Sequence, residues 1–446
     1  MERLIRRLLV AMALMLAVGM VYAQSVKTHK VKKNETIYGI ARDNGLTVDQ
    51  LVAVNPGMER PDYVLKKGKI INIPILDQPT PVTNGNRNNG GDIRQRAIRL
   101  GIMLPLNNQT GDGRRMIEYY RGVLMACEAL KHEGLSVDVR AWNTPQDGNL
   151  AAVLNEPSAA QCDIVFGPLY SRQMQQISDF AERNGILVMI PFSIDAPQLY
   201  FNRHIFQVYQ QPSELVETTA RHFADWFKDH HPVIIDCADT ESTKGVFTSS
   251  LRRQLDLVGV RYSITSMQST DAHFASAFSL QRPNVVVLNT SRVADLKNAF
   301  TKVGALMRAN PSLEVSFFGY EEWMGLAKDQ SANFHRFDMH IPAPFFTNIS
   351  GAETRQLEQK YKQNFGVEMQ NNYPRYAITG YDQAMFFLRG LHIYGTAFDG
   401  GQGRLAAYQS VQTPLKFERI ANGGLQNRSF MFIHYKTNGT IDTISY

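Results

Sequence analysis

From residue 97 onward, short apolar runs alternate with segments whose apolar residues recur at steps of three and four. Residues 98–104 predict a strand, Ile117, Tyr120, Leu124, Cys127 and Leu130 mark one face of a helix, and residues 135–141 predict the next strand. The alternation continues with a strand over 163–166, a helix over 174–183 and a strand over 186–190. A second series follows, with strands over 233–237, 285–288 and 315–318 and helices over 246–257 and 293–307. Strands that are apolar on both faces belong in parallel sheets covered by helices on each side, and the two series imply two sheets. Near the end, Asn438-Gly439 separates the runs 430–435 and 440–444, the pattern of a tight β-hairpin.

The first 96 residues are organised differently. Arg3, Arg6 and Arg7 precede an apolar run over 8–21 that closes on Tyr22-Ala23. That is the layout of a cleavable secretory signal peptide over 1–23, which predicts export to the periplasm. No Cys follows Ala23 to accept a lipid. Residues 75–96 are rich in Asn, Gly and Pro, cannot bury apolar surface and read as a flexible linker that lets its flanking domains move independently.

Between them, residues 28–74 form a compact βααβ pattern. Val31 ends a short strand, Ile37, Ile40 and Ala41 share one helix face, and Thr47 caps a second helix carrying Val48, Leu51 and Val52. Asn55-Pro56 stops that helix, and Gly68 permits the turn into a strand over 70–74. From end to end, including the Asn after the second helix, the Gly before the last strand and the closing Ile73-Pro74, these residues resemble the LysM family. The resemblance implies binding of a glycan containing N-acetylglucosamine, such as peptidoglycan, in a shallow groove. Its walls would be Asn34, Glu35, Thr36 and Ile37 on one side and Asn55, Pro56, Gly57 and Met58 on the other. The family most often has Gly-Asp-Thr-Leu where this chain has Asn34-Glu35-Thr36-Ile37, a departure that changes the turn.

Residues 97–446 resemble the type I periplasmic binding proteins, among them the branched-chain amino-acid receptors. The likeness is carried by Gly101-Ile102-Met103-Leu104-Pro105, by Gly122, Ala126 and Glu128, by Gly167-Pro168-Leu169-Tyr170-Ser171, by Ile190-Pro191-Phe192-Ser193 and by Thr379-Gly380-Tyr381-Asp382-Gln383. The expected fold class is α/β, a small βααβ LysM module plus a two-lobed type I periplasmic binding protein fold with two mostly parallel three-layer αβα lobes. One lobe is expected over about 97–207 and 342–425, the other over about 208–341 and 426–446. By the same resemblance, Tyr170, Ser171, Phe192, Ser193 and Tyr320 would line a ligand cleft. Many relatives have Phe-Arg where this chain has Phe206-Gln207.

Composition narrows the chemistry. Net charge is +6, without basic runs interleaved with aromatics, so no nucleic-acid partner is expected. Three cysteines, Cys127, Cys162 and Cys237, are too few and too scattered for a disulfide framework and read as small buried hydrophobes. Eleven histidines include no His-Glu-x-x-His, no Gly-x-Ser-x-Gly is present, and neither a catalytic residue, nor a metal site, nor a cofactor is expected.

These features point to a non-enzymatic protein that docks on peptidoglycan and senses a ligand or regulates cell-wall synthesis. Its partners would be the glycan, an amino acid or peptide in the cleft, and a membrane-anchored cell-wall synthase or transporter. The alternatives are a solute receptor for an amino-acid or peptide ABC transporter and an accessory protein of a cell-wall hydrolase.

Overall fold

The computed structural model describes residues 26–60, 63–75, 92–146, 148–349, 351–400 and 409–446. The signal-peptide expectation and most of the expected linker lie outside them. Among the described residues, no helix is long and apolar enough to cross a membrane.

The chain divides into two compact units, and the smaller contains the LysM module together with Arg355–Met369. In the module, β1 (Val26–Lys30) pairs antiparallel with β2 (Ile70–Pro74) around the helices α1 (Ile37–Asp43) and α2 (Val48–Ala53). Thr36 caps α1 by accepting the Gly39 N–H, and Thr47 and Gln50 form a reciprocal capping box at the start of α2. Ile37, Ile40, Val48, Leu51, Ile71 and Ile73 are buried and form its core. Tyr38 packs on Phe365 with ring centroids 5.5 Å apart.

The larger unit holds two seven-stranded sheets. The first lobe is built from β3 (Ile98–Leu104), β4 (Val137–Asn143), β5 (Ile164–Phe166), β6 (Leu187–Ile190) and β7 (Ile205–Gln207). The second uses β8 (His231–Asp236), β9 (Ser263–Ser266), β10 (Asn284–Leu288), β11 (Val315–Phe318) and β12 (Met339–Ala343). The chain then returns to the first sheet with β13 (Phe417–Arg419) and β14 (Leu425–Asn427), and to the second with β15 (Met431–Tyr435) and β16 (Ile441–Ser445). The orders are β13-β14-β7-β6-β5-β3-β4 and β16-β15-β12-β11-β10-β8-β9. Pairing is parallel except at β13, β15 and β16. Strand order reverses between β3 and β5 in one sheet and between β8 and β10 in the other, which opens crevices at the carboxyl ends of these strands.

Three segments cross between the sheets, after β7, after β12 and after β14. Gln207 lies at the first crossing, where its Nε2 donates to the Ser193 carbonyl at 3.1 Å and its Oε1 accepts from Gln426 Nε2 at 3.0 Å. The polar residue that stands in place of arginine is therefore buried and engaged at the junction of two crossing strands.

The hairpin at Asn438-Gly439 is present, with Met431 opposite Ser445 and Tyr435 opposite Ile441. The strand expected over 135–141 instead begins at Val137. Gly134 is left-handed at φ 84, and Leu135 bonds back to the Leu130 carbonyl, so its apolar side chain closes the preceding helix rather than opening the strand.

Candidate functional site

In the LysM module, the two predicted groove walls are loops fixed from within. Asn34 has φ 67, so this turn requires left-handed backbone, which asparagine tolerates in place of glycine. The Glu35 carboxylate accepts the Lys32 N–H at 2.7 Å and meets His29 Nε2 at 2.8 Å, and these two hydrogen bonds hold its pKa below the ordinary carboxylate value. The Thr36 hydroxyl is spent on its helix cap.

On the other wall, Asn55 donates to the carbonyls of Leu51 and Asn72 and accepts the Asn72 N–H at 2.7 Å. Its side chain thus ties the end of α2 to β2, and Ile37 and Met58 are buried as well. Asn34 and Pro56 are the exposed members of the predicted set, with Glu35, Thr36 and Gly57 half-buried. The side chains these loops expose are the Asn34 amide and the Pro56 ring. Gln363, from the segment that shares this unit, donates to the Met58 carbonyl at 3.2 Å.

In the larger unit, a cleft of about 1590 Å³ opens beside the second sheet, lined by loops that follow β8, β11 and β12 and by Asn371, Asn372, Tyr373 and Arg375. Val246, Ile349 and Tyr373 on its walls are 66%, 65% and 49% exposed and put three large apolar side chains on one cavity. Lys244, which pairs with Glu322, and Glu321 supply charge at the rim. Burial raises the pKa of Glu321, and the neighbouring Glu322 adds to the effect.

Of the five residues predicted for the cleft, Tyr320 lines this cavity. Its hydroxyl donates to the Leu288 carbonyl, and its ring lies under Lys244 Nζ at 4.7 Å. The other four sit together on the first lobe. Ser171 Oγ and Ser193 Oγ are 3.0 Å apart, and the Tyr170 hydroxyl donates to Asp112 at 3.1 Å. Phe192 is packed among Tyr119, Tyr209 and Tyr376, with centroids 5.4 to 6.1 Å away. The residues that build the apolar wall, Val246, Ile349 and Tyr373, were not among those anticipated. Their signal in sequence was an apolar side chain at the first turn of a helix or in a loop between elements, where water would be expected.

Burial raises the thiol pKa of all three cysteines to about 12, so none has thiolate chemistry at neutral pH.

No curated protein sequence matches the chain significantly. Among solved structures, a protein from Rhodospirillum rubrum described as a branched-chain amino acid ABC transporter aligns over 78% of this chain and all of its own, at 13% identity and TM-score 0.52. The C-domain of LpoA from Haemophilus influenzae, described as a regulator of PBP1A, aligns over 78% of this chain and 99% of its own, at 14% identity and TM-score 0.45. At 13% identity, the likeness to the Rhodospirillum rubrum protein is one of fold alone. The LysM domain profile matches residues 29–74, and the periplasmic binding protein profile matches residues 143–428. Two seven-stranded, mostly parallel sheets joined by three crossings, and a βααβ module earlier in the chain, agree with both matches: the chain is a LysM-bearing member of the periplasmic binding protein family.

Proposed function

We propose that this protein works outside the cytoplasm, docks on peptidoglycan through the loops at Asn34–Ile37 and Asn55–Met58, and uses its cleft to engage a segment of another protein, regulating cell-wall synthesis. The observation that carries the second half is the cleft wall. A single amino acid calls for a small pocket with a few convergent polar groups, whereas this cavity of about 1590 Å³ carries exposed Val246, Ile349 and Tyr373. In the first lobe, Ser171 and Ser193 share one hydrogen bond between their hydroxyl groups. An apolar wall with a charged rim suits an amphipathic protein segment, for which Lys244, Glu321 and Arg375 would set the register.

Two measurements test this reading. Wild-type protein should co-sediment with purified sacculi, and Pro56→Glu, which puts a charge on the exposed loop, should weaken that by at least about tenfold; equal pelleting would remove the glycan anchor. Crosslinking in cells should capture a membrane-bound wall synthase, and Val246→Asp should abolish the capture without lowering the melting temperature. A free amino acid or short peptide that stabilises the protein against heat, with no synthase captured, would instead establish a solute receptor.

A further inference from the structure

Asp338, His340 and His434 meet at the start of β12, at the end of the second sheet opposite the loops that follow β8, β11 and β12. Antiparallel pairing of β12 with β15 sets His340 directly opposite His434. The two rings stack with centroids 3.9 Å apart and planes 20° from parallel. His434 Nε2 lies 2.7 Å from Asp338 Oδ1, and the second oxygen of that carboxylate accepts from the Ser316 hydroxyl at 3.2 Å. One ligand-capable atom from each of the three residues lies within 4.8 Å of the other two.

The hydrogen bond between His434 and Asp338 accounts for part of this arrangement and leaves His340 unexplained. His340 is 2% exposed. Its Nδ1 sits 3.0 Å from the backbone carbonyl of Asp338, a partner that can only accept, so Nδ1 carries the proton and Nε2 presents a bare lone pair. That Nε2 is buried without a hydrogen-bond partner. A histidine whose one nitrogen is fixed by a carbonyl and whose other is left free is oriented as metal-binding histidines are.

We propose that Asp338, His340 and His434 bind a divalent transition-metal ion, with zinc the best fit. Two imidazole nitrogens and one carboxylate oxygen suit borderline ions; calcium and magnesium prefer shells made of oxygen. Donors around a tetrahedral zinc ion stand roughly 3.4 Å apart, given bonds of about 2.0–2.2 Å. The ion would replace the proton between His434 and Asp338 and separate those atoms slightly. Three protein ligands leave a fourth position for water, and entry is open because the Asp338 and His434 side chains are 31% and 18% exposed. The ion would join β12 to β15, the seam between the parallel strands and the antiparallel end of the sheet.

The test is calorimetric titration of zinc chloride into chelator-treated full-length protein, alongside His434→Gln, Asp338→Asn and His340→Gln. The expected result is one tight equivalent in the wild type and at least about a 100-fold loss of affinity in each variant, since even outer-shell changes cost 10–100-fold. Cobalt should give visible bands of tetrahedral coordination in the wild type alone, and calcium and magnesium should not bind at this site. Should His340→Gln fail to fold, His434→Gln and Asp338→Asn, with folding checked by metal-free melting, carry the decision. Absence of a stoichiometric site in the wild type, or unchanged affinity in the two accessible variants, overturns the proposal.

Discussion

Gly380 lies against the backbone of Tyr119 so closely that a methyl group at Gly380 would stand 2.1 Å from the Tyr119 carbonyl oxygen. The relationship is reciprocal, since a methyl at Gly122 would stand 1.8 Å from the carbonyl of Ala377. Two glycines therefore let the helices Gly111–His132 and Tyr376–Tyr394 touch backbone to backbone in the first lobe.

Gly122→Ala should destabilise the larger unit by about 2–3 kcal/mol, because backbone cannot yield to an added methyl as a flexible side chain can. Gly245→Ala is the control, for nothing lies within 4 Å of the methyl it would add. Urea unfolding should show a lower midpoint for the first variant and an almost unchanged one for the second.

Asp163 makes an acid-sensitive tie. Burial pushes its pKa up, but hydrogen bonds from the Arg96 and Arg99 guanidinium groups and the Arg99 N–H outweigh burial and hold it below the ordinary value. A depressed folded pKa gives stability that is complete above the unfolded value near 3.9 and is lost as pH falls through the folded one. Asp163→Asn should cost about 2 kcal/mol at pH 7 and flatten the dependence of unfolding free energy on pH below about 4. Parallel curves for variant and wild type would show that the pairs contribute nothing.

Asn55 is expected to matter for folding whether or not glycan is present. Removing its three hydrogen bonds in Asn55→Ala should loosen the LysM module by about 2 kcal/mol. Faster hydrogen exchange along β2 without glycan would show this directly. If exchange is unchanged while sacculus binding falls, Asn55 acts through the ligand instead.

The cysteines should resist alkylation at pH 8 in the native state, because burial holds their thiols near 12. Iodoacetamide labelling should appear only as urea unfolds the protein. Rapid labelling of native Cys127, the one half-buried thiol, would contradict that.

Sequence made the alternating core legible, because helices such as Val293–Ala309 and strands such as Asn284–Leu288 owe their form to local periodicity. It missed β9, whose residues Ser263–Ser266 are polar except for Ile264; an edge strand needs a neighbour's hydrogen bonds more than an apolar run. It could not show that Asn55 is consumed by Asn72 or that Ser171 faces Ser193, since both pairings are tertiary. The Asp338–His434 contact spans 96 residues and exists only through the register of β12 with β15, so a search by motif spacing passes over it.

The late return of the chain to both sheets bears on the order in which the molecule can form. Gln207 and Gln426, 219 residues apart, meet where β14 joins β7, and β15 reaches β12 later still. The LysM strands, by contrast, are paired once residue 74 has emerged. During synthesis, the edges of β7 and β12 must wait, open and apolar, for partners made last, and such non-local pairing is slow. The large unit is thus a latecomer to its own fold, most in need of a holding chaperone in the interval after β12 appears and before β15 arrives.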